Sequence, residues 1–220
     1  MSGIHHVTAI SGKAARNLDF YTHVIGLRFV KKTVNFDDPG TYHLYYGDRV
    51  GNPGTILTFF PWEHAAPGRG GVGLAQQTTF RIPLGSIGYW THRIVEKGVA
   101  HEALEKRFGE PVLSFTDPDG LSLALVGTAG AEFATASNSG NIPAEHAIRG
   151  FHGVTLMLDD AVPTAAVLRR SGIQAPRPRR ATRPLPCQRT HRWHRRHSRG
   201  EGFSSRAARP RLGASHSIPG

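Results

Sequence analysis

Two adjacent imidazoles, His5 and His6, and the hydroxyl of Thr8 fall within eight residues of one another in the segment GIHHVTAI, residues 3–10. Imidazole is a ligand suited to Fe, Zn, Ni and Mn, and a metal site needs two or three such donors converging from different strands. The segment is short, β-branched and apolar, which predicts a strand. Side chains alternate along a strand, so His6 is expected to share a face with Thr8, and His5 with Val7, leaving one imidazole for any cavity that the sheet lines. A lone strand histidine is as readily a hydrogen-bonded packing residue. The chemical reading gains from recurrence: GFHGVTL, residues 150–156, repeats the Gly-apolar-His-x-Val-Thr pattern and carries His152.

Other candidates carry less. His43 stands between Tyr42 and Tyr45 in a strand-like run and is expected to pack, and His23 is expected on the polar side of a helix. His191, His194, His197 and His216 lie among arginines that would repel a cation. Asp117-Pro118-Asp119-Gly120 resembles half of a calcium loop but lacks the later ligands, so it predicts a turn. The GRGGVG run at 68–73 does not join a strand to a helix, which argues against a phosphate cradle. There is no G-x-S-x-G elbow, and the single cysteine, Cys187, forms no internal disulfide and excludes a Cys-based zinc site. One cysteine and no secretory pattern in the first 30 residues lead us to expect a cytoplasmic protein. The absence of any run of about 18 apolar residues argues against a membrane helix.

The elements that must position these residues follow a repeating order. A helix over 13–25 places Ala14, Leu18, Tyr21 and Ile25 at helical spacing before Gly26. Strands are expected over 27–36, 41–48 and 54–62, then a Gly-rich loop at 64–73. The order restarts with a strand at 77–83, a helix at 86–96 ended by Gly98, and further strands over 101–127 around the DPDG turn. After a low-complexity linker the opening motif returns at 150, a helix-like TAAVL follows at 164–168, and Gly172-Ile173 falls near the place of Gly26-Leu27.

The 220 residues carry a formal net charge of +11, but not evenly. Residues 1–168 hold 13 basic and 15 acidic side chains, whereas residues 169–220 hold 14 arginines against Glu201. That tail, with six prolines and six serines and no Lys, Val or Tyr, cannot bury enough apolar surface to offset its ordering entropy and is expected to be disordered. It fits an Arg-rich nucleic-acid arm, a solvated linker, or a shifted reading frame in a GC-rich gene. The missing lysines and the lack of an RGG or RS repeat favour the last and argue against a specific nucleic-acid partner.

Taken together, GIHHVTAISG (3–12), NLDFYTHVIGLRFVKKTVNFDDPGTYHLYYGD (17–48), GNPGTILTFFPW (51–62), the DPDG turn and the GFHGVTL restart resemble the glyoxalase and extradiol dioxygenase superfamily, the vicinal oxygen chelate fold. Within it they resemble the hydroquinone-type ring-cleaving dioxygenases. The resemblance covers about 1–173 and implies an α+β protein of tandem βαβββ units, two complete and a third partial. Residues 1–127 would form the first domain, 128–147 a linker, 148–173 the start of a second domain and 174–220 the Arg/Pro-rich tail.

The resemblance also implies chemistry. Members bind Fe(II), or Mn(II), through two His and one Glu, with open positions for an aromatic diol and O2. His6 matches the first metal ligand, and His5 and Thr8 match residues near the substrate. The other two ligands belong to a fourth unit, absent here, and Ala124 occupies the place where a ligand Glu would stand in the second unit. One imidazole is therefore expected not to retain the metal. A different metal-dependent enzyme of the fold, a metal-free ligand binder and a nucleic-acid binder are the rival readings. Because unit one would lack its partner unit, its strand face bearing Val7, Leu44, Leu57 and Phe59 is expected to lie open and to promote self-association.

Overall fold

A computed structural model describes residues 3–137 and 140–173. The first unit runs β1 (His6–Ser11), α1 (Ala14–Asp19), a π-helical turn (Phe20–Val24), then β2 (Arg28–Val34), β3 (Tyr42–Gly47) and β4 (Ile56–Pro61). These strands form one sheet in the order β1-β4-β3-β2, with β1 parallel to β4 and the other neighbours antiparallel. The second unit repeats the plan with β5 (Ala75–Pro83), a 3-10 turn (Leu84–Ser86), α2 (Ile87–Glu96), β6 (Glu105–Arg107), β7 (Glu110–Thr116) and β8 (Ser122–Thr128). Its sheet runs β6-β7-β8-β5-β9, so β5-β8-β7-β6 reproduces the order of the first sheet and β5 is parallel to β8. The restart motif forms β9 (Phe151–Leu156), which pairs antiparallel with the remaining edge of β5, and α3 (Ala161–Arg170) follows. The α+β architecture of tandem βαβββ units expected from the sequence is the architecture observed. Gly26 and Gly172 close their helices with nearly the same left-handed φ, 74° and 75°.

Alternation along the strands decides which face is core. Leu44, Tyr46, Leu57 and Phe59 point to one side of the first sheet, where Tyr21, Ile25 and Leu27 of the helical segment cover them. The same core continues through Phe80, Leu113, Phe115, Leu123 and Leu125 of the second sheet and Trp90 and Ile94 of α2. This corrects the expectation of an open face at Val7, Leu44, Leu57 and Phe59. Leu57 and Phe59 are fully buried and Val7 packs against them, because the unit's own helix and the second unit both lie on that side. The open face is the opposite one.

Two polar features hold the units together. Asp117, 5% exposed, accepts hydrogen bonds at Oδ1 from the backbone N–H groups of Asp119 and Leu121 (2.9 and 2.8 Å) and at Oδ2 from the Tyr21 hydroxyl (2.9 Å). The DPDG turn of unit two is thus fastened to the helical segment of unit one, and Arg16 pairs with Asp119 beside it. The low-complexity stretch after β8 also packs. Ile142, Ala147 and Ile148 enter the core, the Trp90 indole N–H donates to the His146 carbonyl (2.8 Å), and Gly26 lies directly against Ile142. Three apolar residues in a polar stretch carry no periodicity from which this could be read.

Candidate functional site

The open face of the first sheet is a grid set by strand register. Thr8 of β1 stands beside Thr58 of β4, which stands beside Tyr45 and then Lys31. Ile10 stands beside Phe60, and His43 and Thr33 complete that row, while His6 begins the row next to Ile56. The Thr8 and Thr58 hydroxyls hydrogen-bond at 2.8 Å, tying the two central strands on this face. His6, Thr8 and Ile10 are all exposed.

Alternation along the sequence sets His5 and His6 on opposite sides of a strand. The structure does not: β1 begins at His6, His5 lies just outside it, and the two imidazoles meet edge to face with centroids 5.2 Å apart and Nδ1 atoms 3.1 Å apart. Strict alternation holds only within the ladder, and His5 precedes it. The His5 backbone is fixed nonetheless. Its carbonyl accepts from the Gly54 N–H (2.8 Å), and the Gly54 carbonyl accepts from the Phe151 N–H (2.8 Å) at the start of β9. A Cβ at Gly150, whose φ is +92°, would come within 2.7 Å of that Gly54 oxygen. The glycine that opens the restart motif is therefore needed for close approach to the first unit.

His43 joins His6 and Thr8 on the open face, where its strand pattern predicts only packing. Its ring lies between those of Tyr45 and Phe60, each with centroids 4.1 Å away, and Nδ1 is hydrogen-bonded to the Tyr45 hydroxyl at 2.7 Å. Its Nε2 is buried without a protein partner. Burial, then the nearby Lys31 and His6, lower its pKa below the ordinary histidine value, which keeps the ring neutral at physiological pH. Lys31 sits over the Tyr45 ring at 4.5 Å. The period-2 pattern of β3 does place His43 and Tyr45 together, but nothing in the sequence gives the register that sets them on the His6 face.

The second unit lacks the same equipment. Matching Leu57 to Leu123, the core partners of Val7 and Thr78, sets Gln77 at the place of His6 and Ala124 at that of Thr58. Ala124 is fully buried between Thr79 and Ser114. Gln77 is occupied structurally, donating to Ser114 and Ser122 and accepting from Arg107. In the restart motif His152 stands at the place of His5, and Gly153 at that of His6. His152 Nε2 reaches Glu110 Oε2 at 3.0 Å, and Glu110 also accepts from Thr128. Among the described residues no group of three His, Cys, Asp or Glu gathers as a metal site. No helix among them is long and apolar enough to cross a membrane. The histidines after residue 173 lie outside the described residues.

Comparison with known proteins places these features. The Glyoxalase/Bleomycin resistance protein/Dioxygenase superfamily model matches residues 3–125. MhqO of Bacillus subtilis, named as a candidate ring-cleaving dioxygenase, is 46% identical over 166 residues, covering 76% of this chain and 53% of MhqO. The chlorohydroquinone/hydroquinone 1,2-dioxygenase of Sphingobium indicum is 33% identical over 162 residues, covering 72% of this chain and 50% of that protein. The crystal structure of a candidate dioxygenase from Bacillus subtilis superposes with a TM-score of 0.72 at 45% identity, over 77% of this chain and 54% of that one. The chain spans about half the length of the curated relatives it matches.

Proposed function

Since the chain belongs to the Glyoxalase/Bleomycin resistance protein/Dioxygenase superfamily, we propose that it carries the first-unit half of the active site of a ring-cleaving dioxygenase for hydroquinone- or catechol-type aromatics, using O2 in the cytoplasm. The observation that carries this reading is the HHVT segment at the start of β1, with His6 and Thr8 exposed on one sheet face beside His43 and Tyr45. The names of the relatives support ring cleavage as the reaction.

In this reading His6 is one ligand to Fe(II), or to Mn(II). The described residues do not fit a complete site for either ion, since no three His, Cys, Asp or Glu side chains converge among them and His6 supplies one donor where two or three are needed. The remaining donors must come from outside these residues. His5 and Thr8 are assigned to the substrate: the His5 imidazole, held against His6, offers a group that can accept a proton from a ring hydroxyl, and the Thr8 hydroxyl, fixed by Thr58, presents a hydrogen-bonding group to a ring oxygen. The Tyr45, His43 and Phe60 rings give the face an aromatic floor suited to a flat substrate.

The test separates the half-site from the whole. Alone, the purified chain is expected to hold well under one iron per molecule and to consume no oxygen with hydroquinone or catechol. Residues 3–62 grafted in place of the matching segment of the Sphingobium dioxygenase are expected to support iron binding and oxygen uptake. In that chimera His6→Ala should abolish both, and Thr8→Ala should slow uptake while iron is retained. Full iron content and turnover in the His6→Ala chimera would overturn the assignment.

A further inference from the structure

We propose that the open cavity at Trp62 is a second ring-binding site, which takes a neutral dihydroxylated aromatic by stacking on the indole and by a hydrogen bond from a ring hydroxyl to Glu63. The choice of a diol as ligand rests on the catalytic reading above. The site itself stands on the geometry of the strand ends.

The open face of the first sheet continues past the ends of its strands. The Trp62 N–H donates to the Ser11 carbonyl (2.8 Å) and the Asn35 N–H to the Thr41 carbonyl (2.8 Å), so β4 stays bonded to β1, and β2 to β3, one residue further. Alternation turns Thr58, Phe60 and Trp62 to the same side of β4, and Tyr45, His43 and Thr41 to the same side of β3. The row after Ile10, Phe60, His43 and Thr33 therefore holds Trp62 beside Thr41. The side chains agree. The Trp62 indole N–H donates to the Thr41 hydroxyl at 3.1 Å, and that hydroxyl donates to Asp38.

Two indoles of the described residues are used in opposite ways. Trp90 is fully buried and belongs to the core. Trp62 is 41% exposed although its indole N–H is satisfied, so the group it presents outward is the ring. Its carbonyl accepts from the Ala65 N–H (3.0 Å), which folds the turn carrying Glu63 and His64 back beside it. Thr41, Pro61, Trp62, Glu63, His64 and Ala65 line an open cavity of about 470 Å³, within the roughly 300–1,000 Å³ of small-molecule sites. An indole held at its own N–H and at both of its backbone groups is a preorganised plate, and a ligand that stacks on it has little left to order.

The lining selects the ligand. An indole face favours another flat π system over a saturated ring. Among the described residues Glu63 is in no ion pair, so no cation competes with a ring hydroxyl for its carboxylate. A hydrogen bond to an ionised acceptor is one of the stronger kinds. With Glu63 at the cavity and Asp38 behind Thr41, an anionic ring would meet two negative charges, and a neutral diol meets two acceptors. Four residues separate Thr58 from Trp62 along β4, about 13 Å of strand, so one small ring cannot touch the Thr8–Thr58 pair and the indole together. Trp62 is thus a site of its own at the far end of the face from His6. The Phe60 and His43 rings, 4.1 Å apart, lie in the row between.

The experiment uses the full chain labelled with fluorotryptophan, kept anaerobic and without added iron. Its three indoles, Trp62, Trp90 and Trp193, are assigned by replacing each in turn with Phe. Hydroquinone is expected to shift the fluorine NMR signal of Trp62 saturably and to leave that of Trp90 in place. Glu63→Gln should weaken the affinity about tenfold, as the loss of a hydrogen bond to a charged group requires. His6→Ala should leave it unchanged. Cyclohexanediol, which has the hydroxyls and no ring face, should bind at least about tenfold more weakly, and so should dihydroxybenzoate, which adds a negative charge. The proposal is overturned by a Trp62 signal that does not move or does not saturate, by an equal shift at Trp193, or by either analogue binding as well as hydroquinone. An affinity untouched by Glu63→Gln, or lost in His6→Ala, would also overturn it. No readout depends on iron or turnover, so the catalytic reading can fail while this site stands. A chimera that turns over while Trp62 stays silent would overturn this site alone.

Discussion

Tyr21→Phe tests the bond that fastens the two units. The Tyr21 hydroxyl is the donor to Asp117 Oδ2, and both residues are buried. Removing it leaves one oxygen of a buried carboxylate unpaired, while the two backbone donors to Oδ1 remain. Hydrogen bonds to charged groups contribute about 1.5–3 kcal/mol, and the phenyl ring keeps the packing against Tyr46 and Phe59. A loss of about 2 kcal/mol corresponds to a fall in Tm of roughly 4–8 °C for a body of this size. Acidity adds a second signature. Burial raises the Asp117 pKa, against the lowering effect of its hydrogen bonds from Leu121, Tyr21 and Asp119. The folded state therefore holds this proton more tightly than the unfolded chain. The stability it contributes is complete below the unfolded carboxylate pKa and is lost as pH rises through the folded value. Without the Tyr21 donor the carboxyl rises further, so the variant's deficit should be larger at neutral pH than in acid. Thermal melts of both chains across acid and neutral pH measure this, with Asp117→Asn as the companion, which removes the ionisation and should melt near the parent at neutral pH. A deficit that is the same at both ends of the range, or under about 0.5 kcal/mol, would refute the reasoning.

Gly26→Ala should destabilise by more than about 2 kcal/mol, because φ there is +74° and the new Cβ would meet Ile142 Cγ1 at 2.2 Å; Ile142→Ala in the same chain should relieve the clash but not the backbone strain, giving partial rescue in denaturant melts. Thr58→Val breaks the hydroxyl pair with Thr8 and should cost about 1 kcal/mol in the same assay while leaving the core intact. The His43 imidazole should titrate below the ordinary histidine range by NMR, and Lys31→Met should raise its pKa by removing one of the charges that lower it.

Local pattern in the sequence is enough for the elements. The helical spacing of Tyr21 and Ile25, the glycines that end the helices and the DPDG turn all predict elements that the structure contains, because each depends on neighbours within a few residues. Two βαβββ repeats follow from the order of those elements alone. Sidedness does not. Val7, Leu44, Leu57 and Phe59 do share a face, as alternation requires, but whether that face meets solvent or a helix is a property of the packed units.

The candidate site has the same logic at finer scale. His6 and Thr8 share a strand, so two-residue alternation pairs them from the sequence alone. Thr58 and His43 stand on other strands, and they reach that face only through the pairing of β1 with β4 and of β4 with β3. His5 escapes alternation because the ladder starts one residue after it. The same dependence on pairing separates the His6 face from its counterpart in the second unit. In the second unit the equivalent positions are Gln77 and Ala124, tied into hydrogen bonds and core, and β9 pairs with the edge of β5 whose counterpart on β1 has no strand beside it among the described residues. His6 and Thr8 thus stand on a strand that, among the described residues, is paired on one side only, whereas their counterparts in the second unit stand on a strand paired on both.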